Sequence, residues 1–159
     1  MNNIKLKKLD KDLKFFLIAF LFTITAGIFT GIGYIYYTTS IKIDGIVERY
    51  NGSITQEYEI PENFPKSLEN MLMTTHEHIN AFAIISLLIG FIFYFNSIII
   101  GKIKVFLMIE PFVSTIITFS SLWLLRYFND SFSYVIAVSS GLMYLCWITM
   151  IAISLYELI

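Results

Sequence analysis

Four long runs of apolar residues alternate with polar segments along the chain. The runs cover residues 15–37, 67–95, 103–126 and 132–156. About 20 predominantly apolar residues form a helix long enough to cross the hydrocarbon core of a bilayer. The pattern therefore predicts an all-α membrane protein: one transmembrane domain over residues 1–159, folded as a four-transmembrane-helix bundle.

The first run is too long for the apolar part of a signal peptide, which has about 7–15 residues. It is therefore predicted to be a transmembrane helix. Residues at helical spacing form one stripe along it: Thr23, Gly27, Thr30, Gly31 and Tyr34. Small residues let a second helix approach closely, so this stripe is predicted to pack inward.

The polar segment 38–66 separates the first two spans. Apolar and polar residues partly alternate before and after Asn51-Gly52. Asn-Gly between two such stretches is the strongest short-range indication of a two-residue hairpin turn. We therefore expect a small extracytoplasmic β-hairpin, with Ser40–Tyr50 paired to Ser53–Ile60.

Lysines indicate how the chain is oriented. Residues 1–14 carry five lysines against two aspartates, and loop 96–104 carries two more lysines, whereas segment 38–66 is acidic overall. Four spans place both basic segments on one side. The positive-inside rule then predicts a multi-pass protein of a bacterial inner membrane with both termini in the cytoplasm.

Composition supports a membrane location and excludes several function classes. The chain is 57% hydrophobic and 14% charged, where a soluble domain has about 25% charged residues. The predicted surroundings are a lipid bilayer. A net charge of −1 argues against nucleic-acid binding, which needs a concentrated basic face. The single cysteine, Cys146, excludes a disulfide within the chain and is read as a small buried hydrophobe.

The start of the second span holds the candidate metal ligands Met73, His76 and His78. A thioether beside an imidazole suits Cu(I) or haem iron, so copper and haem are the candidate cofactors. Residues two apart on an α-helix point about 200° apart, so the two histidines do not chelate one ion on a regular helix. His76, with Asn80, is predicted to face the bundle at its outer mouth. The alternative is that both histidines only bind lipid head groups and loop backbone.

Glu110 is the most informative residue of the third span. A carboxyl group in the membrane costs roughly 2.5–3.5 kcal/mol on insertion scales, so it must face the bundle interior or water. Ser114, Thr118 and Ser121 continue the same helical face. One interpretation is a structural hydrogen bond that locks helices together. The other is a proton site, or a partner for a cation or a quinone head group.

Other catalytic patterns are missing: the chain has no GxSxG, no glycine-rich phosphate loop and no HExxH. A function without catalysis is therefore favoured.

Four short motifs resemble a family of small bacterial four-helix inner-membrane proteins without an assigned activity. They are Thr75-His76-Glu77-His78, Glu110-Pro111-Phe112, Trp123-Leu124-Leu125-Arg126-Tyr127 and Ser154-Leu155-Tyr156-Glu157. The resemblance covers Leu68 to the C-terminus. It implies the four-span topology and an association with respiratory or cytochrome systems, and it singles out the two histidines.

Three hypotheses about function follow. The protein is a membrane redox component that binds a metal or haem near the outer end of the bundle. Alternatively, it is an accessory or anchoring subunit that binds a partner through the outer hairpin, within a homodimer or a larger membrane complex. In the third hypothesis, Glu110 binds a proton, an ion or a quinone.

Overall fold

The computed structural model describes residues 5–53, 61 and 63–159. Within them the chain forms five α-helices: α1 Lys11–Thr39, α2 Ile43–Asn51, α3 Leu68–Tyr94, α4 Gly101–Tyr127 and α5 Phe132–Leu158. All except α2 are long and apolar enough to cross a membrane. The predicted all-α architecture with four spans is confirmed. That the whole chain forms a single domain stays a prediction.

Helices α3, α4 and α5 pack against one another and form the centre of the molecule, with α4 and α5 in the most extensive contact. Trp147 of α5 is fully buried, and its Nε1 donates a hydrogen bond to Ser86 Oγ of α3 at 3.1 Å. The edge of Phe82 packs on the same indole, with 5.2 Å between ring centroids. Burial of an indole, the largest side chain, supplies much of the packing energy in the centre of the bundle.

Helix α1 lies at the side of this three-helix centre and contacts α5 and α2. Its buried apolar residues are Leu21 and Ile28, two turns apart. Of the predicted stripe, Gly31 is half-buried and lies near the Tyr144 hydroxyl of α5. Thr23 and Thr30 lie on the opposite, exposed face, so the prediction that the stripe packs inward is wrong for them. Each of these hydroxyls donates to the carbonyl four residues earlier at 2.9 Å. The polar groups are therefore satisfied within the helix, and the stripe can face lipid.

The described start of the chain around Leu6, the α3–α4 turn and the end of α5 meet at one end of the bundle. Leu6 is buried there, and its N–H donates to Phe95 O at 3.1 Å. The Glu157 carboxylate, near the end of α5, accepts the backbone N–H of Ser97 in the turn. This arrangement requires an even number of crossings, as the lysine distribution predicted.

The predicted β-hairpin is wrong in its first half, because residues 43–51 form helix α2. Ile43, Ile46, Val47 and Tyr50 repeat with the 3.6-residue period of a helix. Asn51 is the last residue of α2, and Gly52 ends it at φ +91°. The Asn-Gly pair thus terminates a helix instead of turning a hairpin. Ser53 is not in a strand, and the rest of the second predicted strand, 54–60, lies outside the described residues.

Helix α2 lies across the other end of the bundle. Its apolar face packs on a cluster contributed by α3, α4 and α5: Met71, Phe119, Leu122, Leu125 and Ile136. Asn51 fastens its end, since Nδ2 donates to Leu125 O at 3.2 Å and to Asp130 Oδ1 at 2.7 Å. The segment thus becomes part of the folded bundle, because an amphipathic helix buries one face whereas an isolated two-stranded hairpin is marginally stable.

Candidate functional site

A buried carboxyl group lies where α4 packs on α5. Glu110 is 6% exposed. The Ser114 hydroxyl, one turn further along α4, donates to Glu110 Oε1. Within the described residues Glu110 Oε2 is buried and has no hydrogen-bond partner. The thiol of Cys146 on α5 lies beside the carboxyl group. The site therefore has a carboxyl oxygen that is removed from solvent and open to one further partner.

Ser114, Thr118 and Ser121 are buried on the same face of α4 as Glu110. Successive spacings of four, four and three residues keep them in line on a helix. Thr118 Oγ1 and Ser139 Oγ of α5 are hydrogen-bonded at 2.7 Å. The polar line therefore starts at Glu110, runs toward the α2 end of the bundle and crosses onto α5.

Sequence reasoning missed two members of this polar line. The Thr115 hydroxyl is buried, donates to Pro111 O at 2.7 Å and lies 3.4 Å from Met143 Sδ. Ser139 of α5 was not among the candidate residues, yet its hydroxyl contacts that of Thr118. The position of Ser139 on the α4-facing side of α5 becomes visible only once the two helices are paired.

The structure exchanges the roles expected for the two histidines. His76 and Asn80 are exposed on the outward face of α3, so the prediction that this face looks into the bundle is wrong. His78 is also exposed, but it lies on the side of α3 that meets α4, near the α2 end of the bundle. Its ring packs on Phe82 and Phe119, with centroids 5.6 and 5.7 Å away. The reason is that Met71, Phe82 and Ile89, which set the buried face of α3, share their side with His78.

His78 Nδ1 lies 2.9 Å from Thr74 O. A carbonyl can only accept, so the ring nitrogen there donates and the lone pair belongs to Nε2. His76 Nδ1 lies 3.4 Å from Asn80 Nδ2. Met73 is 53% exposed and lies one turn before His76. Among the described residues no group of three or more His, Cys, Asp or Glu side chains could hold a metal ion.

Residues 40–159, about three quarters of the chain, match the model of a family described as a transmembrane helical domain. The chain belongs to this transmembrane helical domain family. The match includes α2 to α5 and leaves out α1, so it begins earlier than the resemblance expected from Leu68 onward. It does not test the four short motifs. No curated protein and no solved structure matches the chain.

The family region has a second polar feature at one end of the bundle, where α2 meets the α4–α5 turn. An open groove of about 510 Å³ lies there. Its polar lining includes Asp44, Glu48 and Asp130, and its apolar lining includes Ile43 and Val47. The groove combines carboxylates with an apolar floor, which suits a cationic or amphipathic partner.

Hydrogen bonds and burial shift the pKa of three side chains at or near this groove. Bonds from Ser53 and Asn63 hold the pKa of Glu48 below its ordinary value. Burial raises the pKa of Tyr50. Burial, with the nearby Arg49, lowers the pKa of Lys66.

Aromatic and basic side chains lie together in the last turns of α4. Trp123 Nε1 donates to Thr75 Oγ1 at 2.9 Å, and the indole stacks on Tyr127. Arg126 Nε donates to Lys66 O at 3.0 Å. Tryptophan and tyrosine are enriched at the level of lipid head groups, so Trp123 and Tyr127 are suited to a membrane–water boundary at this end of the bundle.

Proposed function

We propose that this family member binds and releases a proton at Glu110 inside the helix bundle. The observation that carries the proposal is the buried Oε2 of Glu110, which has no partner among the described residues. An ionised carboxylate without a counter-charge is very costly in a medium of low dielectric constant. The carboxyl group at this depth therefore either carries its proton or pairs with a cation.

The surroundings of Glu110 favour proton exchange over a purely structural lock. A lock would use both carboxyl oxygens in hydrogen bonds between helices. Here the Ser114 hydroxyl, on the same helix, donates to Oε1. Across the α4–α5 contact the carboxyl group meets the Cys146 thiol, which is only a weak donor. Ionisable side chains inside transmembrane bundles commonly mark proton relays or ion pathways. The hydroxyls of Ser114 and Thr118 extend from the carboxyl group toward the outer end and supply groups along which a proton could move.

Infrared spectroscopy of the protein in lipid tests this proposal. We expect the carbonyl stretch of a protonated carboxylic acid, which shifts in D₂O and is lost in Glu110→Gln. Glu77→Gln is the control, since it removes an exposed carboxyl group of α3 and should leave the band in place. Thr118→Val should slow the deuterium shift. A band that Glu110→Gln leaves unchanged, or one that never exchanges with deuterium, overturns the proposal.

Binding of copper or haem, in a membrane redox component, is a second proposal. What supports it is the orientation of His78, whose Nδ1 contacts Thr74 O and leaves the Nε2 lone pair for a ligand. Metal-bound histidines commonly donate their other ring nitrogen to a carbonyl in this way. Protein purified in mild detergent should then show visible absorbance or bound metal, which His78→Ala removes and His76→Ala retains. Protein free of both contradicts this proposal.

Partner binding at the outer end is a third proposal, in which α2 replaces the predicted hairpin as the docking element. The acidic groove between α2 and the α4–α5 turn supports it. Substitution of Asp44 and Tyr134, which line this groove, should abolish pull-down of a membrane partner. Glu110→Gln should leave it unchanged. Membership of a larger membrane complex stays a prediction.

The membrane and orientation are also proposals: a bacterial inner membrane, with both termini in the cytoplasm. The lysines of the N-terminal segment and of the α3–α4 turn support this orientation. A cysteine in place of Ser53 should react with an impermeant thiol reagent added to intact cells, and a cysteine in place of Lys7 should not. The reverse pattern contradicts it.

A further inference from the structure

The outward face of α3 carries a carboxamide with unused hydrogen-bonding capacity. Asn80 is exposed, and its Nδ2 donates to His76 O at 2.9 Å. Its Oδ1 accepts no hydrogen bond from the part of the chain that the structure describes. A carboxamide that is exposed to water needs no further partner. The depth of Asn80 in the bilayer therefore decides whether its Oδ1 requires a partner from protein.

Two measures place Asn80 inside the hydrocarbon core. Tyr94, the last residue of α3, lies fourteen residues away at the inner end, which is about 21 Å along a helix. The hydrocarbon core is about 30 Å thick. At the outer end, the bond between Trp123 and Thr75 sets the boundary, and Asn80 lies about 7 Å below Thr75 along the helix. Asn80 thus lies within the membrane-spanning part of α3, where an amide oxygen that faces lipid lacks water to bond it.

The exposed face around Asn80 has a seven-residue repeat. Ile84, Leu87, Phe91 and Tyr94 are 57%, 60%, 62% and 58% exposed, and they follow Asn80 at alternating intervals of four and three residues. Two such positions in every seven residues are the pattern by which two helices pair with a left-handed twist. A single asparagine in such a repeat is known to fix the register and the number of helices.

The two-fold symmetry of a dimer makes a second copy of the chain a suitable partner for this face. Two copies of the chain inserted in the same direction are related by a two-fold axis along the membrane normal. Their α3 helices then run parallel and in register, so each Asn80 faces the same residue of the second copy. A carboxamide carries both donors and an acceptor. The pair can therefore satisfy both exposed amides across the axis.

We propose that α3 forms the interface of a parallel homodimer in which Asn80 pairs with Asn80 of a second copy. The occupant of this face is a second copy of the chain, because the pairing needs an asparagine at the same depth and in the same register. This dimer is independent of the proton site, since Glu110 lies between α4 and α5 within one copy.

Cysteine cross-linking in native membranes tests the interface. Leu87→Cys places a thiol on the proposed axis and should give disulfide-linked dimers on oxidation. Val138→Cys on α5 and Thr30→Cys on α1 are matched controls on other exposed faces and should remain monomeric. The native Cys146 is buried and sets the background. Cross-linking at a control position that equals that at Leu87→Cys overturns the proposal, and so does its absence at Leu87→Cys.

The role of Asn80 is tested by dimer affinity in lipid vesicles, measured from the dimer fraction as the protein is diluted. Asn80→Leu should weaken the dimer by about 5–30-fold, the factor for one to two kcal/mol of interhelical hydrogen bonding. Asn80→Gln keeps a carboxamide and should retain most of the affinity. Because Asn80 is exposed, the circular dichroism of both variants should match that of the wild type. Unchanged affinity of Asn80→Leu, or a wild-type chain that is monomeric, overturns the proposal.

Discussion

The backbone N–H of Ser97 donates to both carboxylate oxygens of Glu157, at 2.9 and 2.8 Å. The Ser97 hydroxyl donates to the same carboxylate. Glu157 is 8% exposed, and Lys104 Nζ donates to the neighbouring Asn96 O at 3.0 Å. The last turn of α5 therefore holds the α3–α4 turn closed, which joins two segments that are sixty residues apart.

We predict that Glu157→Gln destabilises the fold. A carboxamide keeps one acceptor oxygen and turns its NH₂ toward the donors of Ser97, which leaves a buried donor unsatisfied. The expected loss is about 1–3 kcal/mol of unfolding free energy, measured by thermal denaturation in detergent. Glu77→Gln, at an exposed position of α3, is the control and should have little effect. Equal melting temperatures for the two variants would contradict this role of Glu157.

We predict that Gly45→Ala separates α2 from the end of α1. A Cβ at residue 45 would lie 2.0 Å from Thr39 O and 2.8 Å from Thr39 C, which is backbone and cannot rotate away. Overpacking of this kind typically costs about 1–3 kcal/mol. The melting temperature should fall accordingly. Gly27→Ala is the control, because a Cβ there has no neighbour within 4 Å and alanine favours the helix. The prediction fails if both variants melt alike.

We predict that Ile41→Gly stabilises the protein. Ile41 lies in the corner between α1 and α2 at φ +53°, a region that β-branched residues rarely adopt. A left-handed conformation costs an L-residue about 1–2 kcal/mol, and glycine avoids most of this cost. Ile41→Ala removes the exposed side chain but keeps the Cβ, so it should gain less than glycine in a thermal melt. An equal gain for both would assign the effect to the side chain and not to the backbone.

We predict a pH-dependent contribution from Glu48. Hydrogen bonds from Ser53 and Asn63 hold its pKa below the ordinary value of 4.5. A group whose pKa is lower in the folded state stabilises that state fully above 4.5, and the contribution is lost as the pH falls through the folded-state pKa. Glu48→Gln should therefore lower the melting temperature at neutral pH and have little effect well below pH 4.5. An effect of equal size at both pH values would exclude this linkage.

The failures of sequence reasoning concentrate where one residue pattern permits two structures. In segment 38–66 the Asn-Gly pair can turn a hairpin or end a helix. The segment forms a helix because a helix places Ile46, Val47 and Tyr50 on one apolar face. This face packs on a surface formed by Leu122 and Leu125 of α4. That surface consists of residues some seventy positions away in the sequence, so the local pattern of segment 38–66 does not predict it.

The histidines show the same limit within a regular helix. Helical spacing separated His76 from His78 correctly, because 100° per residue is a property of the backbone. Helical spacing did not predict whether His76 or His78 lies on the side of α3 that packs in the bundle. That choice depends on α4 and α5, which cover the side of α3 with Met71, Phe82 and Ile89 and leave the side with Asn80 exposed.

The sequence by itself determined the four apolar helices and the burial of the Glu110 face. Each of these follows from the cost of placing polar groups in hydrocarbon, which acts on every span separately. Only the tertiary structure decided the helix α2, the outward position of His76 and the Glu110 oxygen that has no partner among the described residues. These features depend on which side chains meet between helices, and packing partners from distant parts of the chain set that choice.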